Sequence, residues 1–323
     1  MSVPSPRRVA LLDAFTSEAY RGNPAAVVLS TEPIGAEERK NLAIELNQPA
    51  IAFVSHASID SRDTFAASST SPSPLIRWHT SSGEALPLCG HATMAASAYL
   101  LDYYVPTLRE IRYQFLLPAI DAKGTRSETG HELVVTKADD ERIEISLPAS
   151  LSARPVTAEA REAVLACLYS AAGVAAGDVE DVCASPSNEP SMDNLTVRLS
   201  RSIDLGALRV DSIKLLSIPY RGIYLTNLSP PAASTHFRSR VFFPSVGILE
   251  DQVCGSAHTR LVPYWIEERP KSGSPLPEIV EVDQVSPRGG QFAARWDGKW
   301  GEEGGLVALR GKAKLIMEGE LRI

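Results

Sequence analysis

Two thiols in this chain stand directly before a glycine at the head of a helix-forming run: Cys89 in LCGHATMAASAYL and Cys254 in VCGSAHTRLVPYW. His91 follows the first glycine, Gly90. Ser256 follows the second, Gly255, and Asp251 lies just ahead of Cys254. At a helix N-terminus the first backbone N–H groups have no intrahelical partner and the peptide dipoles add partial positive charge, so such an end attracts a carboxylate or a developing enolate. Glycine lets the ligand approach the backbone closely. The same field stabilises a thiolate. Two thiols at two such ends could remove a proton from a carbon beside a carboxylate and return one to the opposite face, which is racemisation without a cofactor. The opposing reading is that both are small buried hydrophobes, as free cysteines often are. His91 and Asp251 are the other groups beside these ends that can carry a proton near neutral pH once their surroundings shift them.

The elements that must position these residues are readable in outline. RRVALLDAF and NPAAVVLS, separated by SEAYRG, predict a hairpin. GAEERKNLAIELN has early acids and apolar residues at helical spacing before Pro49, so it predicts a helix, and AIAFVS a strand after it. SIDSRDTFAASSTSPSPL, rich in Ser, Pro and Asp, predicts a loop before the strand IRWHT. GHATMAASAYLLDYY predicts a helix with Gly90 and His91 at its start. Strands IRYQFLL, ELVVTK and RIEISLP follow, with DAKGTRSETGH as a turn region. The second half reads as a helix (AEAREAVLACLYSAAG), strands LTVRLS, IKLLSI, GIYLTNL and SRVFFP, a helix from GSAHTRLVPYW, and closing antiparallel strands in PRGGQFAARW and GLVALRGKAKLIMEGELRI. Strand-rich halves with one central helix apiece predict an α+β architecture. The order strand, Gly-containing turn, acid, Cys-Gly, helix occurs in IRWHTSSGEALPLCGHAT and again in SRVFFPSVGILEDQVCGSAHT, which predicts an internal duplication.

Composition narrows the partners. At 323 residues the chain exceeds the usual single core, and two domains are expected. A formal charge of −7 with no basic block argues against nucleic acid. No apolar run approaches the length of a membrane span, and the N-terminal run meets Asp13 too soon for a secretory leader. Cys89, Cys167, Cys183 and Cys254 show no paired spacing, which predicts reduced thiols in a cytoplasmic protein. The same scatter, with no HExxH among the histidines, implies no metal.

DAFTSEAYRGNPAAVVL, LPLCGHATMA, VFFPSVGILEDQVCGSAHT and VSPRGGQF together carry a resemblance to the PhzF-like (phenazine-biosynthesis-like) family, related in fold to diaminopimelate epimerase, over nearly the whole chain. The resemblance implies two pseudo-symmetric diaminopimelate epimerase-like domains, each a barrel-like, mostly antiparallel sheet around a central helix. The expected boundaries are 1–120, with the last strand of the chain able to join this domain, and 121–323. It further implies an active site in the cleft between the domains, no cofactor, a small carboxylic-acid substrate and a homodimer. By motif, His91 matches the family's active-site histidine and Asp251 its aspartate. Gly255 and Ser256 match the pair beside the substrate carboxylate, while Gly90, Asn23 and Ala50 are the further expected substrate-binding positions. The family's general base is a glutamate in a segment of the form NLSExxFV. Here that segment reads NQPAIAFV, so Ala50 stands where the glutamate would be, and Glu45 corresponds to a different family glutamate. Three readings follow. The first is a cofactor-independent isomerase or epimerase moving a proton near a carboxylate through Asp251 and His91, assisted by Cys89 and Cys254. The second is a cofactor-free lyase or cyclase on the same scaffold. The third is a non-catalytic small-acid-binding or interaction protein.

Overall fold

The computed structural model describes residues 7–68, 73–120, 126–150, 154–185, 193–268, 276–298 and 305–322. It divides into two compact units, Met1–Ser146 with Arg310–Ile323, and Leu147–Leu309.

The first unit begins with β1 (Arg7–Ala14) and β2 (Asn23–Ser30), the expected antiparallel hairpin. Gly22 closes its turn with φ +69°; a Cβ there would lie 2.2 Å from the Ala14 carbonyl oxygen, so only glycine fits. Helix α1 (Ala36–Leu46) stops at Asn47, which adopts the left-handed conformation and donates its N–H to Ala43 O. β3 (Ala50–Ser55) runs parallel to β2. After the short helix α2 (Arg62–Ser68) come β4 (Leu75–Thr80), antiparallel to β3, and the two-residue β5 (Ala85–Leu86) paired back on β4. Helix α3 (Gly90–Ala98) follows and continues as a π-helical turn over Tyr99–Tyr104. Strands β6 (Glu110–Ile120), β7 (Arg126–Lys137) and β8 (Ile143–Pro148) complete the sheet, β6 parallel to β4 and the rest antiparallel. The C-terminal strand β18 (Ala313–Leu321) pairs with β1. Every residue of α3 except His91 is buried. A helix without a polar face must be surrounded, and its run of Ala, Ser and Thr lets the sheet close around it. The opposite face of the sheet is covered by α1, whose Leu42 and Ala43 join Val9, Ala26, Val28, Ile51 and Phe53.

The second unit repeats this chain path. After β9 (Arg154–Pro155) and helix α4 (Ala158–Ala172), β10 (Val179–Ser185) and β11 (Asn194–Leu199) form an antiparallel pair. β12 (Gly222–Leu228) is parallel to β11, and β13 (Phe237–Phe243) is antiparallel to β12. The short β14 (Ile248–Asp251) folds back on β13. Helix α5 (Gly255–Glu268) precedes β15 (Ile279–Gln284), parallel to β13, and β16 (Gly290–Trp296), antiparallel to β15. β17 (Leu306–Gly311) then leads into β18. Position for position, β1 to β4 correspond to β10 to β13, β5 to β14, α3 to α5, and β6 and β7 to β15 and β16, with the same sense of pairing throughout. The expected duplication is thus a repeated topology. Pro263 lies inside α5 and cannot donate to Thr259 O; Ser150 N–H supplies that bond instead, at 3.1 Å. On the far face of the sheet α4 buries Val164, Cys167 and Leu168 against Leu195, Val197, Ile223 and Leu225.

Four details differ from expectation. The unit boundary falls after Ser146 rather than after residue 120, because β6 and β7 are antiparallel partners that keep residues 110–137 in one hairpin. The segment 62–68 is helical, started by Ser61, whose carbonyl accepts Phe65 N–H at 2.8 Å, and anchored by the fully buried Phe65. Residues 126–131, read as turn, extend β7, while 121–125 lie outside the described residues. IKLLSI forms a 3-10 turn over Lys214–Ser217 instead of a strand, since its buried positions Leu215 and Ile218 are spaced by three.

Candidate active site

Both Cys-Gly motifs sit where the repeated path turns from a short strand into its enclosed helix. In the first unit Cys89 is the N-cap of α3, with extended backbone (φ −139°, ψ 108°). Its carbonyl accepts the Thr93 N–H at 3.0 Å and the Thr93 hydroxyl at 2.7 Å. The thiol is buried and lies 3.5 Å from His91 Nδ1. The other ring nitrogen, Nε2, is buried and has no hydrogen-bond partner among the described residues. Desolvation lowers the His91 pKa from 6.5 to about 4, so the imidazole is neutral at pH 7. A neutral ring has one donor and one acceptor nitrogen. In the tautomer whose Nδ1 accepts from the Cys89 thiol, Nε2 carries the proton.

The second motif is held more tightly. Cys254 N–H donates to Gln284 Oε1 at 2.9 Å, and Gln284 Nε2 donates to Asp251 O at 2.5 Å, so one fully buried amide from the end of β15 ties both ends of the Asp251–Cys254 segment. Cys254 O accepts His258 Nδ1–H at 2.6 Å. That fixes the His258 tautomer: Nε2 must accept, and it does so from the Ser239 hydroxyl at 3.0 Å. Phe237 and Phe292 flank the His258 ring at 6.2 and 4.7 Å between centroids, and its pKa falls to about 4 by burial. Ser286 Oγ donates to Gln252 O at 2.6 Å and completes the scaffold of the loop. His258 and Gln284 carried no assignable role in the sequence; the one local signal was that His258 lies four residues after Cys254, within reach of its carbonyl on a helix.

The Cys254 thiol is not the activated thiolate that a helix end alone would give. Burial, followed by the neighbouring Asp251 charge, pushes its pKa well above the ordinary range, and this outweighs the opposing bonds from Ser256 and the Ala257 backbone. The thiol therefore stays protonated at neutral pH beside the Asp251 charge, while Ser256 Oγ lies 3.3 Å from its sulfur. Asp251 is partly exposed and Ser256 exposed, whereas Gly255 and Gly90 are buried in the backbone turn. Glu250 points elsewhere, in a two-pronged ion pair with Arg240 at 2.7 and 2.8 Å.

Asn23 opens β2 and is buried. Asn194 opens β11 and is buried as well. Ala50 opens β3 opposite Thr80 and is fully buried. Glu45 is exposed on α1, so it does not replace a base at position 50. All four cysteines are free thiols. Among the described residues no cluster of three His, Cys, Asp or Glu is arranged to hold a metal ion, and no helix is long and apolar enough to cross a membrane.

Residues 12–319 match the family model described as phenazine biosynthesis-like protein. The chain is 33% identical to the mouse phenazine biosynthesis-like domain-containing protein 2, over 96% of this chain and 97% of that one. It is 29% identical to an uncharacterised isomerase of Pseudomonas aeruginosa, over 97% of each chain. Among solved structures, a PhzF-family phenazine biosynthesis protein of Enterococcus faecalis superimposes with a TM-score of 0.71 at 26% identity, covering 98% of this chain and 99% of that one. With the repeated epimerase-like topology and both Cys-Gly helix ends in place, the chain belongs to the phenazine biosynthesis-like (PhzC-PhzF) family.

Proposed function

We propose that the protein is a cofactor-independent isomerase that moves a proton at a carbon beside the carboxylate of a small acid. The observation that carries this reading is the state of His91: a neutral imidazole with Nδ1 3.5 Å from the Cys89 thiol and a buried Nε2 without a partner among the described residues. A buried polar atom left unsatisfied is costly, and a substrate oxygen or carbanion would satisfy it. In this reading the substrate carboxylate takes the N–H groups and hydroxyl of Gly255 and Ser256. By the family resemblance, Asp251 is the group that accepts the proton from the acidic carbon and His91 Nε2–H the group that stabilises the enolate or returns a proton to it. The base that removed the proton can deliver it to another carbon of the same molecule, so no oxidant or second reactant is needed. The isomerase name of the Pseudomonas relative agrees with this class.

The replacement of the family base by Ala50 favours a second reading, a small-acid binder without turnover. The experiment that separates them is deuterium exchange. The protein is incubated in D2O with a panel of small carboxylic acids, and label entering the carbon beside the carboxylate is followed by mass spectrometry. Isomerase chemistry gives exchange that falls by about a hundredfold or more in Asp251→Asn and His91→Gln, the usual worth of a general acid or base. Binding without any exchange supports the second reading. Exchange at full rate in both variants would sink the assignment of these residues.

A further inference from the structure

The inner face of the second unit holds two guanidinium groups, Arg260 and Arg221, that have no carboxylate of their own among the described residues. Arg260, one turn into α5, is only 8% exposed; it lies near the buried Tyr224 phenol, which favours its charge, and its Nη1 is buried with no partner among the described residues. Arg221, half-buried and just ahead of β12, lies over the Phe243 ring with Cζ 5.5 Å from the centroid, and its Nε is likewise buried and unpartnered. Asp193 favours the Arg260 cation through its charge, but it is already ion-paired with Arg154. Burial works against the Arg260 cation. A charge taken from water with an N–H unsatisfied is expensive and is kept where something compensates it.

The fold itself does not require these groups. By the repeat, Arg260 of α5 corresponds to Ala95 of α3, and Tyr224 of β12 to Ala52 of β3; both alanines are fully buried. The first unit closes around the same helix face with two methyl groups. The second puts a phenol and a guanidinium there and adds Arg221 beside them. Gly222, the strand residue two before Tyr224, also has no room for a side chain: a Cβ would come within 2.6 Å of both Asn194 Oδ1 and the Phe243 ring. The spot is tightly built rather than loosely filled.

We propose that Arg260, Arg221 and the Tyr224 hydroxyl form a binding site for one oxyanion, a carboxylate or a phosphate group, on the inner face of the second unit. Guanidinium forks match the geometry of either oxyanion. The Tyr224 hydroxyl, near Arg260, can donate its O–H to the ligand. Asp193 and Arg154 together add no net charge, so the site keeps a surplus of two positive charges from Arg221 and Arg260. Binding here is independent of proton transfer, so the fate of this proposal and that of the isomerase reading are separable.

The test is isothermal titration of the full chain with inorganic phosphate and, separately, with acetate, at pH 7 and constant ionic strength. The wild type is expected to bind one equivalent of at least one of them, and the tighter of the two identifies the natural source as a phosphate or a carboxylate group. Arg260→Met should weaken that binding about tenfold or more, the worth of a charge-assisted hydrogen bond. If circular dichroism shows that this variant does not fold, Arg221→Gln takes its place with the same expectation. No saturable binding of either anion by the wild type, or binding unchanged in the folded variant, overturns the proposal.

Discussion

Replacing His258 with glutamine should remove a defined part of the protein's acid sensitivity. The side chain is fully enclosed between Phe237 and Phe292, donates to Cys254 O and accepts from Ser239, an arrangement only the neutral ring satisfies. Burial lowers its pKa from 6.5 to about 4. Because the folded-state value lies below the unfolded one, protons bind the unfolded chain more readily. The contribution to stability is therefore complete above pH 6.5 and is lost as pH falls toward 4. With a difference of about 2.5 between the two values, and 1.36 kcal/mol for each, the full loss is about 3 kcal/mol, of which roughly 2 to 3 kcal/mol is gone by pH 4.5. The assay is urea unfolding at pH 7.5 and pH 4.5 for the wild type and for His258→Gln. The variant is less stable at pH 7.5, but the gap between the two proteins should close by roughly 2 kcal/mol or more at pH 4.5. His79 and His91 also have pKa values near 4 and titrate in both proteins, so they cancel in this comparison. A gap that stays constant across this pH range would refute the neutral, clamped His258.

Two further outcomes concern the loop that His258 holds. Cys254, buried and held protonated by its surroundings, should be alkylated by iodoacetamide at pH 7 no faster than global unfolding allows. Peptide mass spectrometry checks this, and native-state labelling as fast as a free thiol would show that the helix-end field wins after all. Gln284→Leu orphans the buried Cys254 N–H and removes one bond to the Asp251 carbonyl; at roughly 1 to 3 kcal/mol for the buried orphan and about 1 kcal/mol for the second bond it should cost about 2 to 4 kcal/mol in urea unfolding. A loss below about 1 kcal/mol would mean that the segment finds other partners.

Much of the fold was legible because it is written in local patterns. The hairpin of β1 and β2, the helix ending at Asn47, and the two enclosed helices each announce themselves through periodicity and a stop residue. IKLLSI failed because alternating and three-spaced burial look alike over six residues; only the tertiary position of Leu215 and Ile218 selects the 3-10 turn. The segment of α2 hid behind its Ser and Pro content, with Phe65 as its one apolar anchor. At the site, the residues were visible but their chemistry was not. Cys254 stands at a helix N-terminus, which predicts a low thiol pKa, yet its burial beside Asp251 reverses the sign. Gln284, which pins the loop, sits on a strand distant in sequence and has no local mark at all.

The repeat explains why this pairing of legible position and illegible chemistry arises. Each unit must satisfy the carbonyl of the residue that caps its enclosed helix, and each does so from the side chain four positions on: a threonine hydroxyl at Thr93, an imidazole at His258. The backbone problem is common to both halves, so its solution recurs at a fixed spacing and can be read from sequence. The groups facing away from that shared problem are under no such constraint. His91 in one copy corresponds to Ser256 in the other, and Ala95 to Arg260. A duplicated scaffold can carry unlike groups at equivalent positions because the positions that hold the helices are separate from those that differ. Stability variants at Thr93 or His258 should therefore report on the fold, whereas substitutions at His91, Asp251 and Arg260 test the proposed chemistry and the proposed anion site.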